Sequence, residues 1–314
     1  MRPYFVDRAH LKMPDLTCIV ILNFNGTPDT LDCLASLSPS SNDTTSILVV
    51  DNGSSVDPTA EISARFPSIT ILRLPDNQGW AGGNNRGIEW ARAIGADLVC
   101  LLNNDTVIPS GAIEALADMS RRIGPCLLHP AIDYAEPAGA VQLDPTKSGN
   151  NISMIGHEGV YKLDFAYGAC LMVPMALFDK IGGFDERFFL QLEETDFYVR
   201  AQRIGIDSLC MPAARIIHKE SASFGGRTTP MKTYYMVRNS LLLSAKHDQT
   251  WSERLASVRR LTWSLMAIAD INSGNRRTLV WKLGIWLLTA NVHARAARQG
   301  ISDFTRKKFG RMSD

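Results

Sequence analysis

Apolar runs that alternate with helical patterns constrain the fold of this chain more than any other feature. Residues 16–23 (LTCIVILN), 46–50 (SILVV) and 97–102 (DLVCLL) are almost continuously apolar, which is typical of strands buried on both faces of a sheet. A segment with helical character follows each of them. Repeated strand–helix units of this length predict an α/β domain in which a mostly parallel sheet lies between layers of helices.

Polar side chains follow each of these predicted strands at the point where it ends. Ligands of parallel sheets bind beyond the carboxyl ends of the strands, so three such clusters together predict a binding edge. A carboxylate there can accept from a ribose hydroxyl or a base N–H, and oxygen ligands suit Mg²⁺ or Mn²⁺. Each cluster alone is also typical of a turn that caps the next helix. The clusters are Asn23-Phe24-Asn25, Asp51-Asn52 and Asn103-Asn104-Asp105.

A glycine- and asparagine-rich segment, residues 77–85 (NQGWAGGNN), opens the next predicted helix. Its flexible, donor-rich backbone suits the close approach of a phosphate or nucleotide, with Asn77 and Gly79 at its start. The glycines stand at 79, 82 and 83, which is not the G-x-G-x-x-G motif of dinucleotide-binding proteins. The spacing therefore disfavours a dehydrogenase.

The segment FDERFFLQLEETDFYVR at 184–200 places acidic residues at the start of a helix that we predict over 193–204. At about 100° per residue, Glu194 lies on the side of Phe197, whereas Asp196 is within reach of Arg200. A carboxylate on the apolar side of a helix is paired, desolvated or catalytic, so Glu194 is a candidate catalytic residue. A charge that offsets the helix macrodipole gives the same pattern. Asp196 is predicted to form a structural ion pair.

A strand-like run ends at His218, and residues 221–229 (SASFGGRTT) follow with the composition of a loop. The two glycines in this loop predict a mobile flap. His218 is either a structural histidine or a metal ligand. Arg227 is either a phosphate contact or a solvated loop side chain.

The charge distribution is uneven, although 33 Lys and Arg against 32 Asp and Glu give a net charge of +1. That balance disfavours a nucleic-acid-binding protein. Residues 276–311 carry nine basic residues and one acidic residue, which indicates an anionic partner for this segment, with a membrane surface favoured and nucleic acid as the second choice. The six cysteines follow no metal-binding spacing and are predicted to be buried free thiols in a reducing cytoplasm.

Helical patterns cover 230–246, 251–270 and 277–298. No apolar run approaches the roughly 18–20 residues of a membrane span, and residues 1–15 lack the apolar core of a secretion signal. Two apolar stripes along the last helix need two covering partners. Anionic lipid would suit the second stripe, with Trp281 and Trp286 at the interface; an ordinary buried helix or a dimer contact is the alternative.

Seven blocks of this sequence form a recognisable set: ILNFNG, VVDNGSSVD, DNQGWAGGNNRG, LLNNDT, YGACLMV, GGFDERFFLQLEETDF and YYMVRN. In order and spacing the set resembles the inverting family-2 glycosyltransferases, above all rhamnosyltransferase-like and galactofuranosyltransferase-like members of bacterial polysaccharide assembly. The resemblance covers about residues 16–245 and implies a GT-A fold, with a helical extension after it. The domains that it implies are a lead at 1–15, a catalytic domain at 16–229 (nucleotide-sugar half 16–123, acceptor half 124–229) and a basic, membrane-proximal helical region at 230–314.

The resemblance also implies roles for individual residues. Asp51 would contact the base or ribose, and Glu194 stands at the position of the general base. Asp105 keeps the last carboxylate of the Asp-x-Asp metal motif, in which Asn103 replaces the first, and His218 stands where relatives have a histidine near the metal. Asp105 and His218 would therefore bind Mg²⁺ or Mn²⁺. The donor-binding residues expected are Asn23, Asn25, Asp51, Asn52, Asn77, Gly79, Asn103, Asn104, Asp105 and Arg227.

The activity implied is transfer of a sugar, with inversion, to a hydroxyl of a glycan or polyprenyl-linked saccharide at the inner face of the cytoplasmic membrane. dTDP-L-rhamnose is the expected donor, and UDP-hexose or UDP-galactofuranose is the alternative. A nucleotidyltransferase is disfavoured because residues 23–26 lack the basic, glycine-rich loop that such enzymes carry after the first strand. A decayed sugar- or lipid-binding module stays open as a non-catalytic alternative, and a homo-oligomer is compatible with either.

Overall fold

The computed structural model describes residues 16–37, 44–147, 154–155, 159–220, 229–272 and 276–312. These residues form an eleven-stranded sheet with helices on both faces, followed by a group of helices. The strands are β1 (Thr17–Asn23), β2 (Thr45–Asp51), β3 (Thr70–Arg73), β4 (Leu98–Asn103), β5 (Thr106–Val107), β6 (Leu127–Tyr134), β7 (Val141–Leu143), β8 (Met154–Ile155), β9 (Val160–Leu163), β10 (Cys170–Pro174) and β11 (Ser208–His218). The helices are α1 (Thr27–Leu37), α2 (Thr59–Arg65), α3 (Gly79–Ala93), α4 (Ala112–Ile123), α5 (Met175–Ile181), α6 (Glu193–Gln202), α7 (Pro230–His247), α8 (Trp251–Ile268), α9 (Arg276–Leu288) and α10 (Val292–Thr305).

The first part of the sheet is parallel, as the sequence predicts. β1 pairs in parallel with β2 and β4, and β2 pairs in parallel with β3. β10 then joins β4 in antiparallel orientation, and the order continues through β6, β11, β9 and β8. The α/β class is confirmed, and the sheet as a whole is mixed because strands beyond β4 include antiparallel neighbours.

Alternate residues of the central strands are buried in two apolar cores, one on each face of the sheet. In β1, Ile19 and Ile21 belong to the core shared with α1 and α4, and Cys18 and Val20 belong to the core shared with α3, α5 and α6. All four side chains are fully buried. Because a slip of one residue would exchange the two faces, this burial fixes the strand register and brings the polar strand ends to one edge.

Two expectations about the chain as a whole can be compared with the structure. All six cysteines are free and buried, which confirms the prediction of buried thiols. Within the described residues, no helix has the length and apolar character needed to cross a membrane.

The group of helices at the C-terminal end packs closely on itself. α10 lies along α7, and the approach needs small side chains, since a Cβ atom on Gly300 would lie 2.8 Å from the carbonyl oxygen of Tyr234. Ala294 and Ala297 of α10 are fully buried. The most basic segment of the chain therefore contains a helix whose apolar face is already covered.

The prediction of one helix over 277–298 is wrong. α9 ends at Leu288, and α10 begins at Val292. The side chain of Asn291 caps the second helix, because its Oδ1 accepts from the backbone N–H of His293 at 2.9 Å. The two predicted apolar stripes therefore do not continue along a single helix.

Candidate active site

The ends of β1 and β2 form a buried polar cluster. Their register pairs Asn23 with Asp51, and Asn23 Nδ2 donates to Asp51 Oδ1 at 2.9 Å. Ser54 Oγ donates to the same carboxylate oxygen at 2.5 Å. Both Asn23 and Asp51 are fully buried, and Asp51 Oδ2 has no hydrogen-bond partner among the described residues, with Arg73 Nε 3.6 Å away. The cluster keeps one acceptor oxygen unused at the binding edge.

The turn that leads into α3 is held by two asparagine side chains. Asn52 Nδ2 donates to Asn77 Oδ1 at 3.1 Å and to the carbonyl of Gly79 at 3.0 Å. Gly79 has a φ of +74°, and a Cβ atom there would lie 2.3 Å from the carbonyl oxygen of Phe189. Glycine is therefore required at this position, where the start of α3 meets the segment before α6.

The end of β4 holds the candidate metal ligands. Asp105 Oδ1 lies 3.1 Å from His218 Nε2, because the pairing of β5 with β11 sets His218 opposite Thr106. Asn103 Oδ1 accepts from Trp80 Nε1 at 3.3 Å, and Asn103 Nδ2 lies 3.4 Å from His218 Nε2. The neighbouring Asn104 instead binds back toward α1, through Gly26 and Thr30, and has a structural role.

Asp105 and His218 fit a divalent cation as a pair. His218 Nδ1 lies 2.8 Å from Gln142 Oε1 and donates to it, which orients the ring with Nε2 toward Asp105. The separation of 3.1 Å between Nε2 and Oδ1 matches the edge of about 3.0 Å between neighbouring ligands of an octahedral ion with bonds near 2.1 Å. The described residues contain no cluster of three or more His, Cys, Asp or Glu side chains, so donor phosphate and water would complete the shell.

Two adjacent glutamates open α6. Glu193 is 3% exposed and Glu194 is half-buried, and one oxygen of each is buried with no hydrogen-bond partner among the described residues. Burial raises the pKa of both carboxyl groups, and the charge of Glu194 adds to the rise in the pKa of Glu193. Burial therefore favours the neutral form of both carboxyl groups, and at Glu193 the neighbouring charge of Glu194 adds to this effect.

Asp196 has the structural role predicted for it. Its Oδ2 accepts from Arg200 Nε at 2.8 Å, and Lys246 and His247 of α7 contact its Oδ1 at 2.6 and 2.7 Å. Although burial raises the pKa of Asp196, the hydrogen bonds from Lys246 and His247 outweigh that effect and lower it. The carboxylate therefore joins α6 to α7.

A cavity of about 240 Å³ opens at the strand ends. Of the residues predicted to bind donor or metal, Asn52, Asn77, Gly79, Asn103, Asn104, Asp105 and His218 line it. Asn23, Asn25 and Asp51 are not in its described lining: Asn23 and Asp51 are buried beneath the edge, and Asn25 is exposed, with its Oδ1 accepting from Ser55. Arg227 and residues 221–228 of the predicted flap over 221–229 lie outside the described residues.

Glu194 is not in the described lining of the cavity. A Cβ atom on Gly168 would lie 3.8 Å from Glu194 Oε1 and 3.3 Å from the ring of Trp80, which does line the cavity. Glu194 Oε1 and the ring of Trp80 therefore both lie beside Gly168.

Several lining residues were missed by the sequence analysis. They include Trp80, Phe189 and Lys232. Trp80 stands inside the glycine-rich block and could have been found there, and Lys232 follows the predicted start of a helix at residue 230. Phe189 has a backbone φ of 63°, and no local sequence pattern signals this conformation or the place of Phe189 in the cavity lining.

Comparison with known proteins agrees with this geometry. The family model described as Glycosyl transferase family 2 matches residues 18–182, which is over half of the chain. The N-acetylglucosaminyl-diphospho-decaprenol L-rhamnosyltransferase of Mycobacterium tuberculosis is 26% identical over 86% of this chain and 98% of its own length. A dTDP-rhamnosyl transferase of Shigella flexneri is 22% identical over 70% of this chain and 76% of its own length.

A solved structure shows the same fold. The mannosyltransferase of Pyrobaculum calidifontis, in complex with GDP-Man and Mn²⁺, aligns with a TM-score of 0.56 and 11% identity over 93% of this chain and 87% of its own. At that identity the likeness concerns the fold, and it confirms the GT-A architecture.

Proposed function

This chain belongs to glycosyl transferase family 2, and on that premise we propose that it transfers a rhamnosyl group, with inversion, from dTDP-L-rhamnose to a lipid-linked saccharide. The sugar follows the two relatives named as rhamnosyl transferases, and the acceptor follows the mycobacterial relative, whose name specifies a decaprenol-linked substrate. With such an acceptor, the proposed reaction takes place at the inner face of the cytoplasmic membrane.

The observation that carries the proposal is the meeting of Asp105 and His218 at 3.1 Å in a cavity that Lys232 also lines. These two residues would hold Mg²⁺ or Mn²⁺, which supplies neutralising charge for the diphosphate of the donor. Lys232 can bind the same phosphates from the first turn of α7. Asn52 and Asn77 keep the start of α3 open to the nucleotide because their side chains hold the turn.

Glu194 would act as general base in a single displacement. Its carboxylate takes the proton of the acceptor hydroxyl while that oxygen forms a bond to the anomeric carbon of the donor. The bond from that carbon to the diphosphate breaks on the opposite face, and the nucleoside diphosphate leaves. Burial raises the pKa of Glu194, which makes it a stronger base than an exposed glutamate.

Nucleotide-dependent thermal unfolding tests the donor and metal site. A ligand at 100 times its dissociation constant adds about 2.7 kcal/mol to the free energy of unfolding. We expect dTDP with Mn²⁺ or Mg²⁺ to raise the midpoint of the full chain, and Asp105→Ala to abolish the metal-dependent part. Asp118→Ala is the matched control, since that side chain is 85% exposed on α4.

Transfer assays with dTDP-L-rhamnose, UDP-hexoses and UDP-galactofuranose then identify the donor. Preference for a UDP-sugar would replace rhamnose in the proposal and leave the transferase site intact. If no nucleoside diphosphate raised the unfolding midpoint and no sugar were transferred, the chain would be a binding module and the proposal would be wrong.

A further inference from the structure

The first half of α8 is largely exposed within the described part of the chain. None of residues 251–260 is buried. Trp251, Leu255 and Val258 recur at the spacing of one helical stripe, and they are 85%, 47% and 53% exposed. A helix at the surface of a soluble domain normally turns such a stripe toward the core.

α9 is apolar on two faces, and the protein covers one of them. Leu283 is buried with Leu265 and Met266 of α8, which joins the two helices. On the other face, Trp281 is 67% exposed and Leu288 is 83% exposed. Val280 and Ile285 complete the exposed face of α9, at 53% and 45%. We call these exposed side chains, taken together with the stripe of α8, the α8–α9 face.

Basic residues outnumber acidic residues over α8, α9 and the segment between them taken together. Residues 251–288 contain six basic and two acidic residues. One of the acidic residues, Glu253, caps the N-terminus of α8. Its Oε2 accepts from the backbone N–H groups of Gln249 and Thr250 at 2.8 Å in the capping box. Arg254, Arg259 and Arg260 are exposed on the same helix as Trp251. Exposed tryptophans between arginines match the interface of a bilayer that contains anionic lipid.

We propose that the α8–α9 face lies in the surface of an anionic bilayer, with its apolar side chains at the boundary of headgroups and acyl chains and its arginines on the phosphates. Neither helix qualifies as a membrane span, so the helices lie in the plane of the membrane. The membrane contact in this proposal is the α8–α9 face rather than the broader region 276–311, because α10 is already packed on α7. The inference rests on the proposed function in one respect, which is that contact with the bilayer would give the active site access to a lipid-linked acceptor.

Sedimentation of the full chain with vesicles tests the contact without any donor or acceptor. We expect binding to phosphatidylcholine–phosphatidylglycerol vesicles, weaker binding to phosphatidylcholine alone, and a decrease with salt. Trp281→Ser combined with Leu288→Ser should lower the partition coefficient at least about tenfold, since two apolar side chains would no longer be buried in the bilayer. Arg259→Gln should lower it about fivefold on the anionic vesicles only.

Val56→Ser is the matched control, because Val56 is 77% exposed in the turn after β2, away from α8 and α9. Equal sedimentation of the double variant and the unmodified chain would overturn the proposal. So would a concentration-dependent dimer that the double variant abolishes while neither protein binds vesicles, since the face would then bind a second copy. Nucleotide-dependent unfolding of the same samples reports on the donor site alone, so failure of one proposal is distinguishable from failure of the other.

Discussion

The side-chain amide of Asn239 donates to the backbone carbonyl of Gln191 at 2.8 Å and so connects α7 with the turn in front of α6. The same amide donates to the carbonyls of Phe188 and Leu190 at 2.9 and 2.8 Å. That turn has left-handed backbone at Phe189, Gln191 and Leu192, which side-chain-bearing residues adopt at a cost of about 1–2 kcal/mol each. Asn239 therefore stabilises the backbone conformation that positions both Phe189 in the cavity and the two glutamates of α6.

Asn239→Ala should destabilise the protein by about 1–3 kcal/mol, because the part-buried carbonyls of Leu190 and Gln191 lose this donor, whereas the carbonyl of Phe188 still accepts from Arg238 Nη2. Chemical unfolding of the full chain measures this directly. Asn272→Ala is the control, since Asn272 is exposed after α8 and should change stability by less than about 0.5 kcal/mol. Equal stability of the two variants would show that the turn holds its conformation without Asn239.

The sequence predicted that polar residues meet at one edge of the sheet, but it did not predict which of them are buried or which partner each one takes. Asn23 and Asp51 end neighbouring strands, and the period of two fixes their side of the sheet. Their burial depends on Ser54 and Thr30, whose hydroxyls arrive from a turn and from α1 to satisfy them. A sequence pattern indicates that polar groups converge, whereas the partner that each one takes is decided by packing.

The ion pair of Asp196 shows the same limit. Its contact with Arg200 is an i,i+4 pair on one helix, and the sequence predicted it. Its contact with His247 spans 51 positions, and no local pattern signals it. The break between α9 and α10 was missed because apolar residues continue across it, and the capping preference of Asn291 outweighed that periodicity.

The two glutamates of α6 should respond differently to neutralisation. Glu194→Gln should lower kcat by about 10²–10⁴, because the acceptor hydroxyl loses its proton acceptor. Glu193→Gln should leave kcat within about tenfold, because burial and the charge of Glu194 raise the pKa of Glu193 and so favour its neutral form, which glutamine imitates. Steady-state kinetics measure kcat for both variants, and the Glu-to-Gln change in side-chain volume is the same in each.

The pH profile gives an independent check on Glu194. A base acts in its deprotonated form, so kcat falls as the pH is lowered through its pKa. Because burial raises the pKa of Glu194, this acidic limb should lie above the ordinary value of 4.5, and it should vanish in the residual activity of Glu194→Gln. A full-rate Glu194→Gln enzyme with an unchanged limb would assign the base to another residue.

Lys232 should contribute to donor affinity. It is the sole Lys or Arg among the described residues that line the cavity, and it stands in the first turn of α7. A hydrogen bond between charged groups contributes about 1.5–3 kcal/mol, so Lys232→Gln should raise the dissociation constant of the nucleoside diphosphate roughly tenfold to hundredfold. Calorimetric titration measures the change. Lys147→Gln is the control, since that side chain is 55% exposed, and it should bind the nucleoside diphosphate as tightly as the unmodified chain does. Equal affinities of the two variants would show that Lys232 does not bind the phosphates.

His129 should make the fold sensitive to acid. The ring is fully buried in β6, where Nδ1 donates to the carbonyl of Cys170 at 3.1 Å, and burial lowers its pKa from 6.5 to about 4. Above pH 6.5 the ring is neutral in both folded and unfolded chains and adds no pH dependence. Between pH 6.5 and about 4 the unfolded chain takes up a proton that the folded chain does not, so stability falls as the pH is lowered.

The loss attributable to His129 is about 3 kcal/mol by pH 4, and it levels off below that. His129→Gln keeps a polar side chain of similar volume and removes the titration, so its stability should fall less over the same range. Urea unfolding of both proteins at a series of pH values measures the difference. Carboxylates with lowered pKa values, such as Asp196, destabilise both proteins alike in acid, so the difference between the two curves isolates the histidine. If stability fell equally in both proteins from pH 7 to 4, the ring of His129 would be protonated in the folded protein as well. Ser208 Oγ, 3.2 Å from Nε2, would then accept a hydrogen bond from the protonated Nε2.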